Sequence, residues 1–255
     1  MIKRIGFIGV GHLSEFLITG FVNSGQKFEF VFSDPFPERS RKLAAAHGGE
    51  VFTDNQKTVD KADLVVLATR PPDVESALSG LNFRKDQILV SVAVGVPLRF
   101  LRQWAGPARV LRVLPVSCVA VNQSPVLIYP HDKVVHDLFS LVGTVHALED
   151  ETLFEPATSL VGAFYAWLFA LMEEVSNWTA GQGIKTEFAR QLVLETMNGA
   201  CAMARSQNDL TLKQIWESLA TPGGISEHGI KVINQKGALS AWSEALESVT
   251  RILRG

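Results

Sequence analysis

Two glycines near the N-terminus have the spacing that a nucleotide-binding turn requires. Gly9 and Gly11 follow an apolar run and precede an apolar-periodic segment, so they stand between a strand and a helix. Glycines in such a turn let the backbone approach a phosphate, and the helix N–H groups and dipole hold the negative charge. The third position of the pattern is Ser14, which is small enough for close helix packing. The turn predicts a dinucleotide site, with an ordinary glycine turn as the alternative.

Charged residues after the second predicted strand bear on which dinucleotide is bound. Asp34 lies 20 residues past Ser14, and ribose hydroxyls donating to its carboxylate would favour NADH. Alternatively, Asp34 is only a turn residue before Pro35. Arg39 and Arg41 follow closely, and their pairing with a 2′-phosphate would favour NADPH. The sequence leaves this choice open, so the predicted cofactor is NADPH or NADH.

Alternating strands and helices must position this turn. Strands are predicted from apolar runs at residues 2–8, 28–32, 64–69, 88–94, 110–114 and 125–129. Helices are predicted around residues 16–22, 38–47, 100–104 and 134–142. This alternation predicts an α/β fold with a Rossmann-type, doubly wound, mostly parallel sheet in the N-terminal part.

The character of the chain changes near residues 149–151. Beyond them, the strand-like alternation gives way to helical periodicity at residues 160–179, 187–206, 212–219, 225–234 and from 239 onward. We therefore place a boundary between a dinucleotide-binding domain at residues 1–150 and an all-helical domain at residues 151–255.

Composition limits the classes of function. Hydrophobic residues make up 47% of the chain and charged residues 20%, which is typical of a globular protein and not of a disordered one. The net charge of -2, without blocks of like charge, argues against nucleic acid or a membrane as a partner. The uncharged run at residues 156–172 falls short of the ~20 residues of a membrane-spanning helix, so we expect a buried core helix. We expect no signal peptide and a cytoplasmic location.

Cysteine and histidine give little indication of chemistry. Cys118 and Cys201 stand in apolar sequence and are interpreted as small core residues rather than a disulfide or metal site. The histidines are scattered without metal-ligand spacing, so no metal is expected. His12 and His228 lie near glycine turns, but neither is assigned a role in proton transfer.

Five motifs together resemble a known family, the pyrroline-5-carboxylate reductases. They are Gly6-Phe7-Ile8-Gly9-Val10-Gly11, Thr69-Arg70-Pro71, Ser91-Val92-Ala93-Val94-Gly95-Val96, Leu114-Pro115-Val116-Ser117 and Thr221-Pro222-Gly223-Gly224-Ile225-Ser226. The motifs fall in the family's order and cover nearly the whole chain. The resemblance implies an NAD(P)H-dependent oxidoreductase that reduces a cyclic imine such as 1-pyrroline-5-carboxylate to L-proline, in proline biosynthesis. It also implies a homo-oligomer, a dimer or larger, built through the helical domain.

The glycine turn and the resemblance together give a set of candidate cofactor-binding residues. These are Gly9, Gly11, His12, Leu13, Asp34, Arg39, Thr69, Arg70, Pro71 and Ala93. No catalytic residue is assigned. The cofactor performs the difficult hydride step, and water can supply the proton for the imine nitrogen.

The second glycine-rich segment is a candidate cradle for a substrate carboxylate. Its glycines let N–H groups approach an anion at a helix N-terminus, and nearby hydroxyls can donate hydrogen bonds. The alternative is a helix-entry loop capped by Thr221 or Ser226. The candidate substrate-binding residues are Thr221, Gly223, Gly224, Ser226 and Tyr165.

The substrate half departs from the family more than the cofactor half. Where the family has Ser-Gly-Ser-x-Pro-Ala, this chain has Val161-Gly162-Ala163-Phe164-Tyr165-Ala166. Val116 replaces an Asn and Ile225 replaces a Thr. One alternative function is a β-hydroxyacid-dehydrogenase-like enzyme, although residues 160–179 lack the Lys that such enzymes carry. Another is a non-catalytic NAD(P)-binding regulatory protein.

Overall fold

The computed structural model describes residues 2–254 and contains an eight-stranded sheet. Its strands are β1 (Arg4–Ile8), β2 (Glu29–Ser33), β3 (Glu50–Phe52), β4 (Leu64–Leu67), β5 (Ile88–Ser91), β6 (Arg109–Leu114), β7 (Ser124–Tyr129) and β8 (Gly143–Ala147). The order across the sheet is β3-β2-β1-β4-β5-β6-β7-β8. The predicted Rossmann-type, mostly parallel sheet is confirmed.

Twelve α-helices connect and follow the strands in the described part of the chain. They are α1 (His12–Asn23), α2 (Glu38–His47), α3 (Asn55–Lys61), α4 (Val74–Leu78), α5 (Leu98–Ala105), α6 (Lys133–Phe139), α7 (Phe154–Thr158), α8 (Tyr165–Gly181), α9 (Thr186–Ser206), α10 (Leu212–Leu219), α11 (Ile225–Gln235) and α12 (Ala238–Arg254). A π-helical segment, Ser159–Phe164, joins α7 to α8.

The connections between strands explain the direction of each pairing. Strands β1 to β6 pair in parallel, and most of their connections contain a helix, as a crossover requires. Between β6 and β7 the chain makes only the short 3-10 turn Ser117–Val121, so β7 returns antiparallel to β6. The chain passes from β1 to β2 on one side of the sheet and later to β4 on the other side of β1. This reversal between β1 and β4 is the switch point at which ligands bind in such sheets.

Apolar side chains cover both faces of the sheet. One layer includes Phe7 and Phe32 with Leu17 of α1, and the other includes Val65 with Leu101 of α5. All four residues of β4 are buried, as the continuous apolar run predicted for a strand covered on both faces.

A buried arginine ties the sheet to the helical segment that follows it. Arg112 on β6 is 2% exposed, and its guanidinium donates to Glu151 at 2.9 Å and to Glu155 at 2.6 Å. Its charged face lies 4.0 Å from the centre of the Phe154 ring. The same Glu151 oxygen accepts from the N–H of Leu98 at 2.6 Å. Two carboxylates therefore neutralise one buried cation, and that of Glu151 also holds the start of α5.

Several short elements were not predicted, among them β3, β8 and helix α3. The strand β3 has only three residues, and β8 has the pattern Gly-Thr-Val-His-Ala with every residue at least partly exposed. Neither provides the apolar run or alternation from which a strand is recognised. Helix α3 contains a single buried apolar residue, Val59, and begins at Asp54, whose side chain accepts from the N–H of Gln56.

The chain forms two compact units, and their division differs from the predicted domain boundary. One unit runs to Gly162 and includes the last residues from Thr250, and the other is Ala163–Val249. Residue 150 separates the last strand from the first helix of the C-terminal segment. The functional division into residues 1–150 and 151–255 remains a prediction.

The expectation of a buried core helix at residues 156–172 is wrong. All seventeen residues of α8 keep part of their surface exposed, among them Phe169 and Trp178. The continuous helix Glu151–Gly181 is long and apolar enough to span a membrane by length and composition alone, and 17% of its most apolar stretch is buried. A uniformly apolar sequence cannot distinguish burial inside one chain from burial against another surface.

The interpretation of both cysteines as core residues is also wrong. Cys201 on α9 is exposed, and Cys118 is half-buried with its thiol 3.5 Å from the carbonyl of Gln123. Helix α9 buries Ala189 and Val193. Its other residues, Cys201 among them, keep part of their surface exposed, so apolar neighbours in sequence do not by themselves bury a cysteine.

Candidate functional site

The glycine turn links β1 to α1 at the switch point of the sheet. Gly9 has a φ of +85°, and a Cβ there would lie 2.9 Å from the backbone of Ala68 and Thr69. Gly11 is the N-cap residue of α1, and its N-cap position has no side chain that could bond the first N–H groups of the helix. Ser14 is fully buried and donates to the carbonyl of Gly9 at 3.0 Å. Close packing and this hydrogen bond therefore fix the conformation of the turn. The first N–H groups of α1 are available to an anion.

Asp34, directly after β2, is hydrogen-bonded to this turn. One carboxylate oxygen accepts from the N–H of Val10 at 2.7 Å, and the other accepts from the N–H of Phe36 at 2.7 Å. The turn role that the sequence offered for Asp34 is thus present in the structure. Each oxygen retains a second lone pair, so a ribose hydroxyl can still donate to Asp34.

A cleft of about 720 Å³ lies at the carboxyl ends of β1, β2 and β4. It brings together five of the predicted cofactor residues: Gly9, Gly11, Asp34, Thr69 and Arg70. Arg70 is exposed and pairs with Asp73 at 2.8 Å. The predicted phosphate, ribose and cation positions therefore share one cavity.

The positively charged residues lie in an adjoining cleft. This second cavity, of about 760 Å³, shares Val10 and Asp34 with the first and includes Arg39 and Lys42. A guanidinium nitrogen of Arg39 lies 3.4 Å from Nε2 of His12. His12 and Arg39 thus lie together in a corner beside the glycine turn, where the guanidinium of Arg39 is suited to a phosphate.

Four predicted cofactor residues, His12 among them, do not line these clefts. Leu13 packs against the hydrophobic core on one face of the sheet. Pro71 begins the short 3-10 helix Pro71–Asp73 after β4. Ala93 is buried after β5, where its N–H lies 3.3 Å from the hydroxyl of Ser91. The structure gives Leu13 a packing role, while the cofactor roles of Pro71 and Ala93 remain predictions.

Sequence reasoning missed several residues that line the main cleft. Phe36 is 81% exposed at the junction of the two clefts, where an aromatic ring can stack on a base. Thr53 and Asn55 enter the cleft from the turn after β3. They were missed because β3 itself was not recognised. Phe36 is two residues after Asp34, so its position in the sequence could have identified it.

The main cleft fits a dinucleotide by two further observations. Nothing among the described residues lies within 4 Å of the Cβ position of Gly11, so a side chain there would project into open space. The hydroxyl oxygen of Thr69 is buried and has no hydrogen-bond partner within residues 2–254. An open glycine and an unsatisfied hydroxyl are the features expected where a ligand supplies the missing contacts.

The second glycine-rich segment forms the turn that precedes α11. Gly223 has a φ of +74°, and Gly224 is the N-cap residue of α11. The N–H of Gly223 donates to the carboxylate of Glu227 at 2.9 Å, and the N–H of Gly224 donates to the carbonyl of Thr221 at 2.9 Å. Both glycine N–H groups predicted to hold a ligand thus have partners inside the turn, and the ligand role of this segment remains a prediction.

The departures from the family at residues 161–166 produce aromatic packing. The rings of Phe164, Trp167 and Trp242 contact one another with centroid distances of 5.7 to 6.3 Å. Tyr165 meets Phe169 edge-on at 5.2 Å. These contacts give Tyr165 a packing role beside its predicted role in substrate binding.

The comparisons with known proteins cover both parts of the chain. A family model described as NADP oxidoreductase coenzyme F420-dependent matches residues 4–95, and one described as pyrroline-5-carboxylate reductase dimerisation matches residues 151–254. The pyrroline-5-carboxylate reductase of Pseudomonas aeruginosa is 29% identical over 97% of this chain and 94% of its own length. That of Arabidopsis thaliana is 28% identical over 93% and 89%.

Two solved structures with this fold are of pyrroline carboxylate reductases. The 1-pyrroline-5-carboxylate reductase of Streptococcus pyogenes has a TM-score of 0.88 at 23% identity and covers 98% of both chains. The Plasmodium falciparum pyrroline carboxylate reductase, solved with NADP bound, has a TM-score of 0.87 at 20% identity and covers 99% of this chain and 97% of its own.

The glycine turn at the switch point of a parallel sheet defines a dinucleotide-binding protein of the Rossmann type. The match at residues 151–254 restricts this class of dinucleotide-binding proteins further, because that family model describes the dimerisation region of pyrroline-5-carboxylate reductases. The chain is similar to the pyrroline-5-carboxylate reductases over nearly its whole length.

Proposed function

We propose that the protein is an NAD(P)H-dependent reductase of a cyclic C=N bond, converting 1-pyrroline-5-carboxylate to L-proline. The observation that carries this proposal is the match to the Pseudomonas aeruginosa reductase over nearly the full length of both chains. When bound, the nicotinamide supplies a hydride to the imine carbon; the nitrogen takes one proton, so that C=N becomes CH–NH and NAD(P)+ is released.

The chain's own residues hold the cofactor in this proposal. The N–H groups at the start of α1 bind the pyrophosphate, and the open space at Gly11 lets it approach the backbone. Thr69 donates its hydroxyl hydrogen bond to the cofactor. Asp34 can accept from the ribose, and the corner of His12 and Arg39 can receive a 2′-phosphate.

A turnover assay tests the function and the coenzyme together. Oxidation of NADPH and of NADH is followed with 1-pyrroline-5-carboxylate, and L-proline is quantified as the product. A higher rate with NADPH assigns the corner of His12 and Arg39 to the 2′-phosphate, and a higher rate with NADH assigns Asp34 to the ribose. Cofactor binding without turnover of this imine or of 2-keto acids would favour the regulatory alternative, and turnover of hydroxy or keto acids the dehydrogenase alternative.

We propose a homo-oligomer, dimer or larger, formed through the helical segment. The exposed apolar side chains of α8 and α9, such as Phe169, Trp178 and Phe188, are more than a water-soluble surface normally leaves uncovered. The dimerisation model matches this same segment. Burial against a second copy also accounts for an apolar helix in a protein that we place in the cytoplasm.

The oligomer is expected to depend on these side chains. Light scattering at micromolar concentration should give a dimer or larger, and Trp178→Asp should shift it toward monomer because the charge would be buried at the contact. Val121→Asp, at an exposed apolar residue of the 3-10 turn Ser117–Val121, serves as the control. A monomeric wild-type protein would refute the assembly.

A further inference from the structure

A cavity of about 1070 Å³ lies on one face of the sheet, where β1 and β2 begin. The main cleft lies at the other ends of the same strands, because Gly9 and Asp34 in its lining directly follow β1 and β2. Strands of 5 residues separate the two ends by about 15 Å. We call the cavity at the beginning of β1 and β2 the amino-edge cavity, and it is distinct from the cofactor site.

The floor of the amino-edge cavity is apolar. Phe28 and Phe30 lie on the sheet face that α1 and α6 cover, and their ring centroids are 6.5 Å apart. The ring of Phe28 also meets that of Phe21 on α1 edge-on at 5.5 Å. Val22 of α1 and Leu138 of α6 add aliphatic surface to the lining. These contacts hold the rings in place, so the cavity offers a preformed apolar surface to the body of a ligand.

Two exposed lysines in the lining have no carboxylate partner. Lys3 directly precedes β1, and Lys27 precedes β2 by one residue. Neither takes part in an ion pair within residues 2–254. Their ammonium groups are therefore available to an anion beside the apolar floor.

The carboxylates that line the cavity are neutralised by cations outside the lining. Glu29 accepts from Nε of Arg4 at 2.8 Å, and Asp137 accepts from Nζ of Lys133 at 2.7 Å. The remaining ionisable group in the lining, His47, adds no negative charge in either protonation state. The charge left to the cavity is that of its two lysines, so an anion is attracted and a cation is repelled.

We propose that the amino-edge cavity is a second ligand site, which binds a small organic anion with an apolar body and a carboxylate. The rings and aliphatic side chains cover the body, and Lys3 and Lys27 hold the carboxylate. An inorganic anion would gain nothing from the apolar floor, and a neutral molecule would gain nothing from the lysines. This site is independent of the imine reduction proposed above.

Calorimetry with the full-length protein and three probes tests the class of ligand. The compound 4-phenylbutyrate carries both features and should bind with a Kd of about 1 mM or lower. Butyrate lacks the ring and 4-phenylbutanamide lacks the charge, so each should bind at least about threefold more weakly. Equal binding of the amide and the carboxylate, or no binding of 4-phenylbutyrate, overturns the proposal.

A charge variant tests whether the lysines hold the probe. Combining Lys3→Gln with Lys27→Gln should weaken binding of 4-phenylbutyrate about three- to tenfold. The matched control combines Lys57→Gln with Lys85→Gln, which removes the same charge from two exposed lysines outside this cavity. The control should keep the affinity of wild type. An equal loss in both double variants would mean that net charge alone attracts the probe, and the proposed site would be wrong.

A steric variant locates the probe in the cavity. Val22→Trp should weaken binding of 4-phenylbutyrate at least about tenfold, because the indole fills space beside the apolar floor. Val22 is 41% exposed, so the larger side chain does not disturb the core. Arg39→Gln, which removes a cation from the adjoining cleft beside the glycine turn, should leave the affinity unchanged. Weaker binding in Arg39→Gln, or unchanged binding in Val22→Trp, would place the probe elsewhere and overturn the proposal.

Discussion

Gly11→Asp is expected to abolish binding of both NADPH and NADH while the protein stays folded. The backbone at Gly11 has φ -92° and ψ -169°, which any residue can adopt, and the Cβ position is open. Aspartate is also a good N-cap residue, so α1 should not be destabilised. The carboxylate would, however, stand against the pyrophosphate. We expect at least a hundredfold loss of affinity, on the order of 3 kcal/mol, measured by fluorescence titration.

The matched control separates charge from size. Gly11→Asn has nearly the same volume and the same N-capping ability, but it carries no charge. It should lose markedly less affinity than Gly11→Asp, and both variants should unfold at a temperature close to that of wild type. Unchanged affinity of Gly11→Asp for both coenzymes would place the dinucleotide site elsewhere.

Arg112→Met is expected to lower the free energy of unfolding by about 3–5 kcal/mol, because it leaves two carboxylates close together without their cation. Arg112 is the buried centre of the contacts with Glu151 and Glu155. The measurement is the shift of the urea midpoint followed by circular dichroism. Arg109→Met on the same strand is the control, since Arg109 is half exposed and makes one ion pair with Asp132; it should cost about 1 kcal/mol or less.

A triple variant tests whether unpaired charge is the cause of this loss. Combining Arg112→Met with Glu151→Gln and Glu155→Gln removes the carboxylates together with the cation. It should recover a substantial part of the stability lost in the single variant, since replacing a whole buried ion cluster is often nearly neutral. If the triple variant is less stable than Arg112→Met, packing around the arginine rather than charge accounts for the effect.

Local patterns in the sequence were sufficient to predict six of the eight strands and the glycine turn. Continuous apolar runs predicted β4 and β5, because strands buried on both faces need apolar residues at every position. The roles of Gly9 and Gly11 followed from their place between a strand and a helix. These features depend on residues that are neighbours in sequence.

Features that depend on distant residues could not be predicted. The contact of His12 with Arg39 and the position of Asn55 in the cleft both require the sheet to be assembled first. The exposure of α8 was missed because an apolar sequence shows that a surface avoids water but not which surface covers it. The bond between Glu227 and Gly223 is local, yet it depends on the side-chain conformation of a glutamate, which composition and spacing do not report.

Asp34 has a structural role in the glycine turn as well as a proposed role in cofactor binding, and this limits how coenzyme preference can be changed in this protein. A designer who wishes to favour NADPH would ordinarily replace the acidic residue at the end of the second strand, since it opposes a 2′-phosphate. Here that carboxylate also holds the N–H of Val10, so its removal would loosen the loop on which either coenzyme depends. A change of preference is therefore better sought at Arg39 and Lys42, which line the adjoining cleft without bonding the glycine turn.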